Sequence, residues 1–210
     1  MTVVVALLAA LLIADRLAVS YAQGRIATHV GDWGFAARPH ATITGFPFLT
    51  QLAVRRINKV VISATGKKLG PVEVKRLDLT LSGTRASTSY KSVTASRLCG
   101  TAMIGFAGLA GVAGTPGLTL SADGPDRVKI TVGLGPVTRS ATARVIPAGP
   151  GGIRIAVISA RGIPVAALGP LRDITLSLPA LPPGMTIQSV TVTGQGVQVH
   201  LAGHDIRFGG

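Results

Sequence analysis

Histidine side chains are the groups in this chain best suited to binding a metal ion. Four histidines occur, and His200 and His204 are four positions apart, which is the spacing of two metal ligands on one helical face. These two residues flank a glycine-containing segment after a strand pattern, and no glutamate lies between them, as a metalloprotease motif requires. We therefore predict that the chain holds no metal ion.

Other catalytic motifs are also missing from the sequence. Gly66-Lys67 resembles the end of a phosphate-binding loop, but Val61 occupies the upstream position at which that loop needs glycine. No Gly-x-Ser-x-Gly turn presents a nucleophile, and the 8 acidic residues are scattered along the chain. The sequence thus predicts a protein that is not an enzyme and that uses no cofactor.

The net charge of +13 indicates which classes of molecule the protein is expected to bind. A strongly positive field attracts polyanions such as nucleic acids and anionic lipid headgroups, although it can also serve solubility alone. Proteins that bind single strands interleave aromatic residues with basic ones, whereas Arg55-Arg56, Lys67-Lys68 and Lys75-Arg76 contain none. We expect an anionic membrane surface, and no nucleic acid, as the partner.

The first 22 residues form a separate segment. Val3 to Ala14 is an unbroken apolar run that Asp15-Arg16 ends. As a helix it would reach about 18 Å, less than the roughly 30 Å of a hydrocarbon core, which is typical of a signal peptide. Small residues in Ser20-Tyr21-Ala22 allow cleavage after Ala22. An uncleaved anchor extended through Val19 and a buried core helix are the alternatives. Either a signal peptide or an anchor places residues 23–210 in the cell envelope or periplasm.

Beyond residue 40, apolar residues recur at every second position, which is typical of strands with one wet face. Within Val72–Leu81 the phase of this alternation slips at Lys75-Arg76, and such a slip predicts a β-bulge. Gly194-Gln195-Gly196 predicts a tight hairpin between the last two strands. Further alternating segments are Val128–Leu134, Ala141–Val145, Ile153–Val157, Ile174–Leu178, Val190–Val192 and Val197–Leu201.

Two segments are helical in character instead. Apolar residues from Val19 to Val30 recur at spacings of three and four, and Gly31 is a suitable end. Met103–Val112 is apolar without alternation, which favours a short helix packed on the sheet. The sequence therefore predicts a mainly β protein with antiparallel strands and two helices, and a single domain over residues 23–210.

The segment Gly45–Gln51, which reads Gly-Phe-Pro-Phe-Leu-Thr-Gln, resembles the LmeA-like phospholipid-binding family of actinobacterial cell-envelope proteins. Val93–Arg97 and the C-terminal stretch from Leu178 to Gly203 are also similar to that family. The resemblance implies a phospholipid-binding protein that supports envelope lipid or lipoglycan maintenance. It further implies an elongated, strongly curved antiparallel sheet wrapped around a helix, similar to tubular lipid-binding folds. One departure is Val54-Arg55-Arg56, where relatives have a glycine-containing turn.

Lipid binding gives roles to two groups of side chains. Acyl chains need dry surface, since each CH₂ held in water costs about 0.8 kcal/mol. The candidates for an apolar groove or its mouth are Phe46, Phe48, Leu49, Phe106 and Leu109. Arginine matches phosphate oxygens with a planar fork, which makes Arg55, Arg56 and Lys59 candidates for headgroup or membrane contact.

A less specific interpretation exists for each group. The apolar residues would then fill an ordinary core, and the basic residues would form a solvated face. The protein would in that case be a non-catalytic envelope accessory protein that docks a partner enzyme or the wall. A solvent-open apolar cavity with copurifying lipid separates the two hypotheses.

Overall fold

The computed structural model describes residues 2–32, 34–69, 72–88, 92–113, 117–134, 137–160, 173–177, 181 and 183–208. Within these ranges the chain forms three helices and eleven strands. In chain order they are α1 (Thr2–Gly31), β1 (His40–Thr44), α2 (Phe48–Ala53), β2 (Arg56–Leu69), β3 (Val72–Ala86), β4 (Val93–Gly105), α3 (Phe106–Ala113), β5 (Leu118–Ala122), β6 (Arg127–Leu134), β7 (Val137–Ala148), β8 (Gly152–Ala160), β9 (Asp173–Ser177), β10 (Met185–Thr193) and β11 (Gly196–Phe208).

The described strands belong to two antiparallel sheets. The first sheet has six strands in the order β1-β2-β3-β4-β11-β10, and the second is the five-stranded meander β5-β6-β7-β8-β9. Strand β11 lies between β4 and β10, so the last hairpin of the chain completes the sheet that the first half began. Both sheets contribute apolar side chains to one hydrophobic core. Its fully buried members include Leu98, Ile104, Val197 and Val199 from the first sheet and Val128, Ala143 and Ile153 from the second.

Turns of the second sheet reach the outer edge of β10. The backbone N–H of Val192 donates to the carbonyl of Pro125 at 2.7 Å, and that of Ile187 donates to Pro150 at 3.0 Å. An open strand edge exposes unpaired polar groups, and these two bonds satisfy part of that edge. The two sheets are therefore tied through backbone bonds as well as through the core.

Several local predictions are confirmed. The β3–β4 register shifts between Val74 and Arg76, where the phase slip predicted a bulge. The final hairpin turns at Gly194-Gln195, and Thr193 pairs with Gly196. Gly196 has φ +148°, and a Cβ there would collide with the carbonyl of Ile104, so only glycine fits. The long helix ends at Gly31 as predicted.

The mainly β, antiparallel fold class is confirmed, but its predicted details need correction. The single strongly curved sheet is wrong, because the structure has two sheets, neither closed nor strongly curled, and it does not show a sheet wrapped around a helix. Sharing one core lets both sheets bury their apolar faces without closure. The described part has one more helix than predicted, α2. The helix α3 begins at Phe106 because Met103 and Ile104 still pair with β11.

Candidate membrane and lipid-binding site

Helix α1 changes character at Asp15. The residues before it are exposed, including large apolar side chains such as Leu7 and Leu11. After it, Ala27 and Val30 are buried, and Val19 packs against the core from one helix face. The helix is long and apolar enough to cross a membrane, a property that a signal sequence shares. Its first half is thus an apolar rod that the protein itself leaves uncovered.

Asp15 joins α1 to α2 at that boundary. Its side chain is only 2% exposed, and its Oδ1 accepts a hydrogen bond from the backbone N–H of Leu49 at 2.8 Å. The first turn of a helix has N–H groups without intrahelical partners, and Pro47 at the N-cap provides no side-chain bond. The carboxylate of Asp15 provides the acceptor instead. Among the described residues, its Oδ2 has no hydrogen-bond partner.

The Gly45–Gln51 segment turns the chain from β1 through α2 into β2. Buried Gln51 holds this turn, since its Oε1 accepts from the Asn58 N–H at 2.9 Å and its Nε2 donates to the Pro47 carbonyl at 3.5 Å. Gly45 has φ +117°, and a Cβ there would lie 2.5 Å from Gln51 Nε2. The first and last residues of the motif are therefore packed against each other.

Phe46 is the exposed member of this motif. Its side chain is 57% exposed, and the guanidinium carbon of Arg16 lies 5.2 Å from its ring centroid, which is cation–π geometry. Arg16 directly follows the buried carboxylate of Asp15. An arginine with a long apolar stem and an aromatic ring are suited to a boundary between hydrocarbon and water. This pair lies where the uncovered half of α1 meets the body of the protein.

The structure does not bring the five predicted lipid-contacting residues together. Phe48 and Leu109 are 2% and 4% exposed and belong to the core, and Phe106 packs against it half-buried. Leu49 is half-buried on α2. The short helix α3 packs near Glu73, at the far end of the β2–β3 hairpin from α2. The two ends of this hairpin are twelve residues apart along β2, which corresponds to roughly 40 Å of extended strand. The structure therefore groups Phe46 with Leu49 and separates both from Phe106.

The predicted headgroup residues do lie at the α2 end of the sheet. Arg55, Arg56 and Lys59 are all exposed at the start of β2. Arg55 has φ +54°, its N–H donates to the Leu52 carbonyl, and its own carbonyl accepts from Ala86. This left-handed turn is the position at which a glycine would be expected. Three cationic side chains are thus on the same end of the sheet as the Arg16–Phe46 pair.

An open cleft of about 340 Å³ lies between α1 and the entry to β1. Ser20, Gln23, Gly24 and Ala27 line it from one face of α1, and Arg38–Ala41 line it opposite. The cleft has three buried apolar residues, Pro39, Ala27 and Ala41, and two exposed polar ones, Arg38 and His40. A Cβ on Gly24 would touch nothing within 4 Å, although a glycine inside a helix costs about 1 kcal/mol relative to alanine.

Sequence reasoning missed most of these residues. Asp15 and Arg16 were visible only as the end of the apolar run, and Gln51 only as part of a motif. The four α1 residues of the cleft follow the spacing i, i+3, i+4, i+7, which marks one face of a helix. The sequence signal for this cleft was the set of small and polar residues on one helix face. The segment that lies opposite contains Arg38 and His40.

The described residues contain no group of three or more His, Cys, Asp or Glu side chains placed to hold a metal ion. His200 and His204 both lie on strand β11 rather than on a helix. Ligand spacing on a helix therefore does not apply to them.

Comparisons with known proteins add the family. No curated protein and no solved structure matches the chain. One family matches residues 13–202, and it is described as LmeA-like phospholipid-binding. That description names binding and no reaction, and it supports lipid binding in general. Since the match covers most of the 210 residues, the chain belongs to the LmeA-like phospholipid-binding family.

Proposed function

We propose that this protein binds anionic phospholipid at the outer face of a membrane to which α1 holds it. The observation that carries the proposal is the division of α1 at Asp15 into an uncovered apolar half and a half packed on the protein. With the apolar half inserted into a bilayer, where about 20 Å of helix reaches part of the way through a roughly 30 Å hydrocarbon core, the membrane surface lies against the Arg16–Phe46 pair and the basic start of β2. Lipid binding there would support maintenance of envelope lipids or lipoglycans.

We propose further that α1 is retained as an anchor and not removed as a signal peptide. Cleavage after Ala22 would remove Asp15 and leave the Leu49 N–H without its acceptor. It would also remove Ala18 and Val19, which pack against the core. The family match begins at residue 13, before that cleavage point. On this proposal the folded domain begins at about Asp15, and the rest of the chain lies outside the cytoplasm.

Charge supports an anionic surface as the partner. Each cation near such a surface adds about 1 kcal/mol of attraction, and Arg16, Arg55, Arg56 and Lys59 are at the end of the protein that α1 presents to the membrane. The excess of 21 basic over 8 acidic residues also favours binding to an anionic surface. These charges concentrate anionic lipid beside the protein without by themselves choosing a headgroup.

The acyl chains of the bound lipid are proposed to stay largely in the bilayer. Withdrawing a chain of about 16 carbons into water would cost more than about 10 kcal/mol. The candidate groove residues Phe48 and Leu109 are packed in the hydrophobic core. A groove formed by them would therefore require the core to open. Exposed Phe46 and half-buried Leu49 remain available to contact chains beside α1.

A vesicle experiment with the full chain tests this function. Detergent-purified protein is reconstituted into phosphatidylcholine vesicles with or without phosphatidylglycerol, and native mass spectrometry records which lipids stay bound after release in detergent. We expect phosphatidylglycerol to be enriched among bound lipids, and Arg55→Ser with Arg56→Ser to reduce that enrichment. Arg127→Ser with Arg139→Ser, on the second sheet, removes the same charge and should have little effect. Lipid-free protein from both vesicle types would contradict the proposal.

A further inference from the structure

We propose that the cleft between α1 and the entry to β1 binds the phosphate headgroup of one anionic phospholipid. This inference rests on the proposed function and gives it a defined site. The volume of about 340 Å³ is at the lower end of the range for small-molecule sites, about 300–1,000 Å³. It suits a headgroup with its glycerol better than a whole two-chain lipid.

The chemistry of the cleft is that of an anion site. None of its lining residues is acidic, and Arg38 and His40 form no ion pair with a described acidic side chain. The guanidinium fork of Arg38 matches two phosphate oxygens, and the His40 ring donates an N–H in either protonation state. Ser20 and Gln23 add a hydroxyl and an amide for the oxygens of the glycerol or polar headgroup.

Gly24 is an independent sign that this space is kept open. A Cβ at this position would contact nothing within 4 Å, so close packing does not require glycine. Gly24 also has no positive φ that would demand glycine, since it lies inside α1. Alanine would favour the helix more strongly. A bound group that occupies the cleft supplies the reason for a residue without a side chain.

The near end of the cleft lies at the outer edge of the lipid headgroup layer. Ser20, at its near end, follows Asp15 by about 8 Å along the helix axis, which is comparable with the thickness of a headgroup layer. Tyr21 beside it is 71% exposed, and tyrosine is enriched at that level of membrane proteins. A membrane lipid would therefore enter this cleft at its Ser20 end, where the anchor keeps the local concentration of membrane lipid high.

The test uses the full chain in a neutral maltoside detergent. Calorimetry measures binding of dihexanoyl phosphatidylglycerol, dihexanoyl phosphatidylcholine and glycerol 3-phosphate. We expect phosphatidylglycerol to bind at one site and more tightly than the other two. Arg38→Gln should weaken its binding about tenfold, the usual effect of losing one charge-assisted hydrogen bond. Arg139→Gln, on β7, removes the same charge away from α1 and should change nothing.

Gly24→Leu extends a side chain into the cleft from a Cβ position that meets nothing within 4 Å, and it should abolish binding while the melting temperature stays equal or rises. Gly24→Ala places one carbon in the same space and should weaken binding, though less than Gly24→Leu does. Undiminished phosphatidylglycerol binding by Gly24→Leu and Arg38→Gln would overturn this site and leave the proposed function intact. Equal binding of glycerol 3-phosphate would overturn the lipid as its ligand, and equal binding of phosphatidylcholine would overturn its preference for anions. No binding of either phospholipid by the wild-type chain would overturn the proposed function together with the site.

Discussion

The Asp15 carboxylate of α1 accepts a hydrogen bond from the Leu49 backbone N–H of α2 at 2.8 Å, and this bond lies where the uncovered apolar half of α1 ends. It joins two elements 34 positions apart in the chain. The helix that is proposed to enter the membrane is thereby fixed in direction relative to the motif that carries Phe46.

Replacing Asp15 tests the junction. Asp15→Ala leaves the part-buried Leu49 N–H without an acceptor, and we expect this to cost about 1 kcal/mol of unfolding free energy. Asp15→Asn retains an acceptor oxygen and should preserve most of the stability. Thermal melting in detergent and hydrogen exchange at the Leu49 amide measure both effects. Equal stability of the alanine variant and the wild type would contradict the role of this bond.

Gly45 and Gly34 form a matched pair of left-handed glycines. Gly34→Ala pays only backbone strain of about 1–2 kcal/mol, because a Cβ there touches nothing within 4 Å. Gly45→Ala also displaces the Gln51 side chain, which would lie 2.5 Å from the new carbon. Its loss of unfolding free energy should exceed that of Gly34→Ala by about 1 kcal/mol or more. Denaturant unfolding of the two variants measures the difference, and equal losses would show that Gln51 adapts freely.

Thr84 offers a stabilising substitution. It is 4% exposed, and its hydroxyl has no hydrogen-bond partner among the described residues. Thr84→Val retains the shape and removes the desolvated hydroxyl, so we expect a gain of about 1 kcal/mol. The matched control is Thr193→Val, since the Thr193 hydroxyl donates to the Gly196 carbonyl at 3.0 Å. That variant should lose about 1 kcal/mol. Melting curves that rank the two variants in the opposite order would refute this assignment.

Asp78 gives the protein a pH-dependent contribution to stability. Partial burial acts to raise the pKa of this carboxyl, but hydrogen bonds from Arg76 and Ser63, together with the charge of Arg76, hold its pKa below the ordinary value. A lowered folded-state pKa stabilises the protein above the unfolded pKa of about 4 and less as the pH falls through the folded value. The stability difference between wild type and Asp78→Asn should therefore shrink below about pH 4. In an Arg76→Gln background this pH dependence should be weaker, and an unchanged dependence would argue against the pairing.

Local patterns predicted much of the fold because they depend on neighbouring residues alone. The bulge at Lys75-Arg76 is visible as a slip in alternation, and the end of the long helix as Gly31. The pairing of Val197 with Ile104 joins strands far apart in sequence, which periodicity does not encode. The division into two sheets depends on such non-local pairing and was therefore missed.

The site shows the same limit at the level of single side chains. Phe46 and Phe48 are two positions apart and resemble a strand pair on one face, yet Phe46 is exposed and Phe48 is buried in α2. Helix α2 has six residues, too few to show a helical period in the sequence. The separation of Phe106 from Phe46 likewise follows from the length of β2 and β3 rather than from either residue's type.

Organic extraction of the purified full chain, followed by mass spectrometry of the extract, tests phospholipid binding most directly. We predict about one phospholipid per protein, enriched in anionic headgroups relative to the membranes from which the protein was purified. An extract free of phospholipid, with no uptake after mixing with phosphatidylglycerol vesicles, would contradict the account. The protein would then be better described as an envelope accessory module that docks a partner enzyme or the wall.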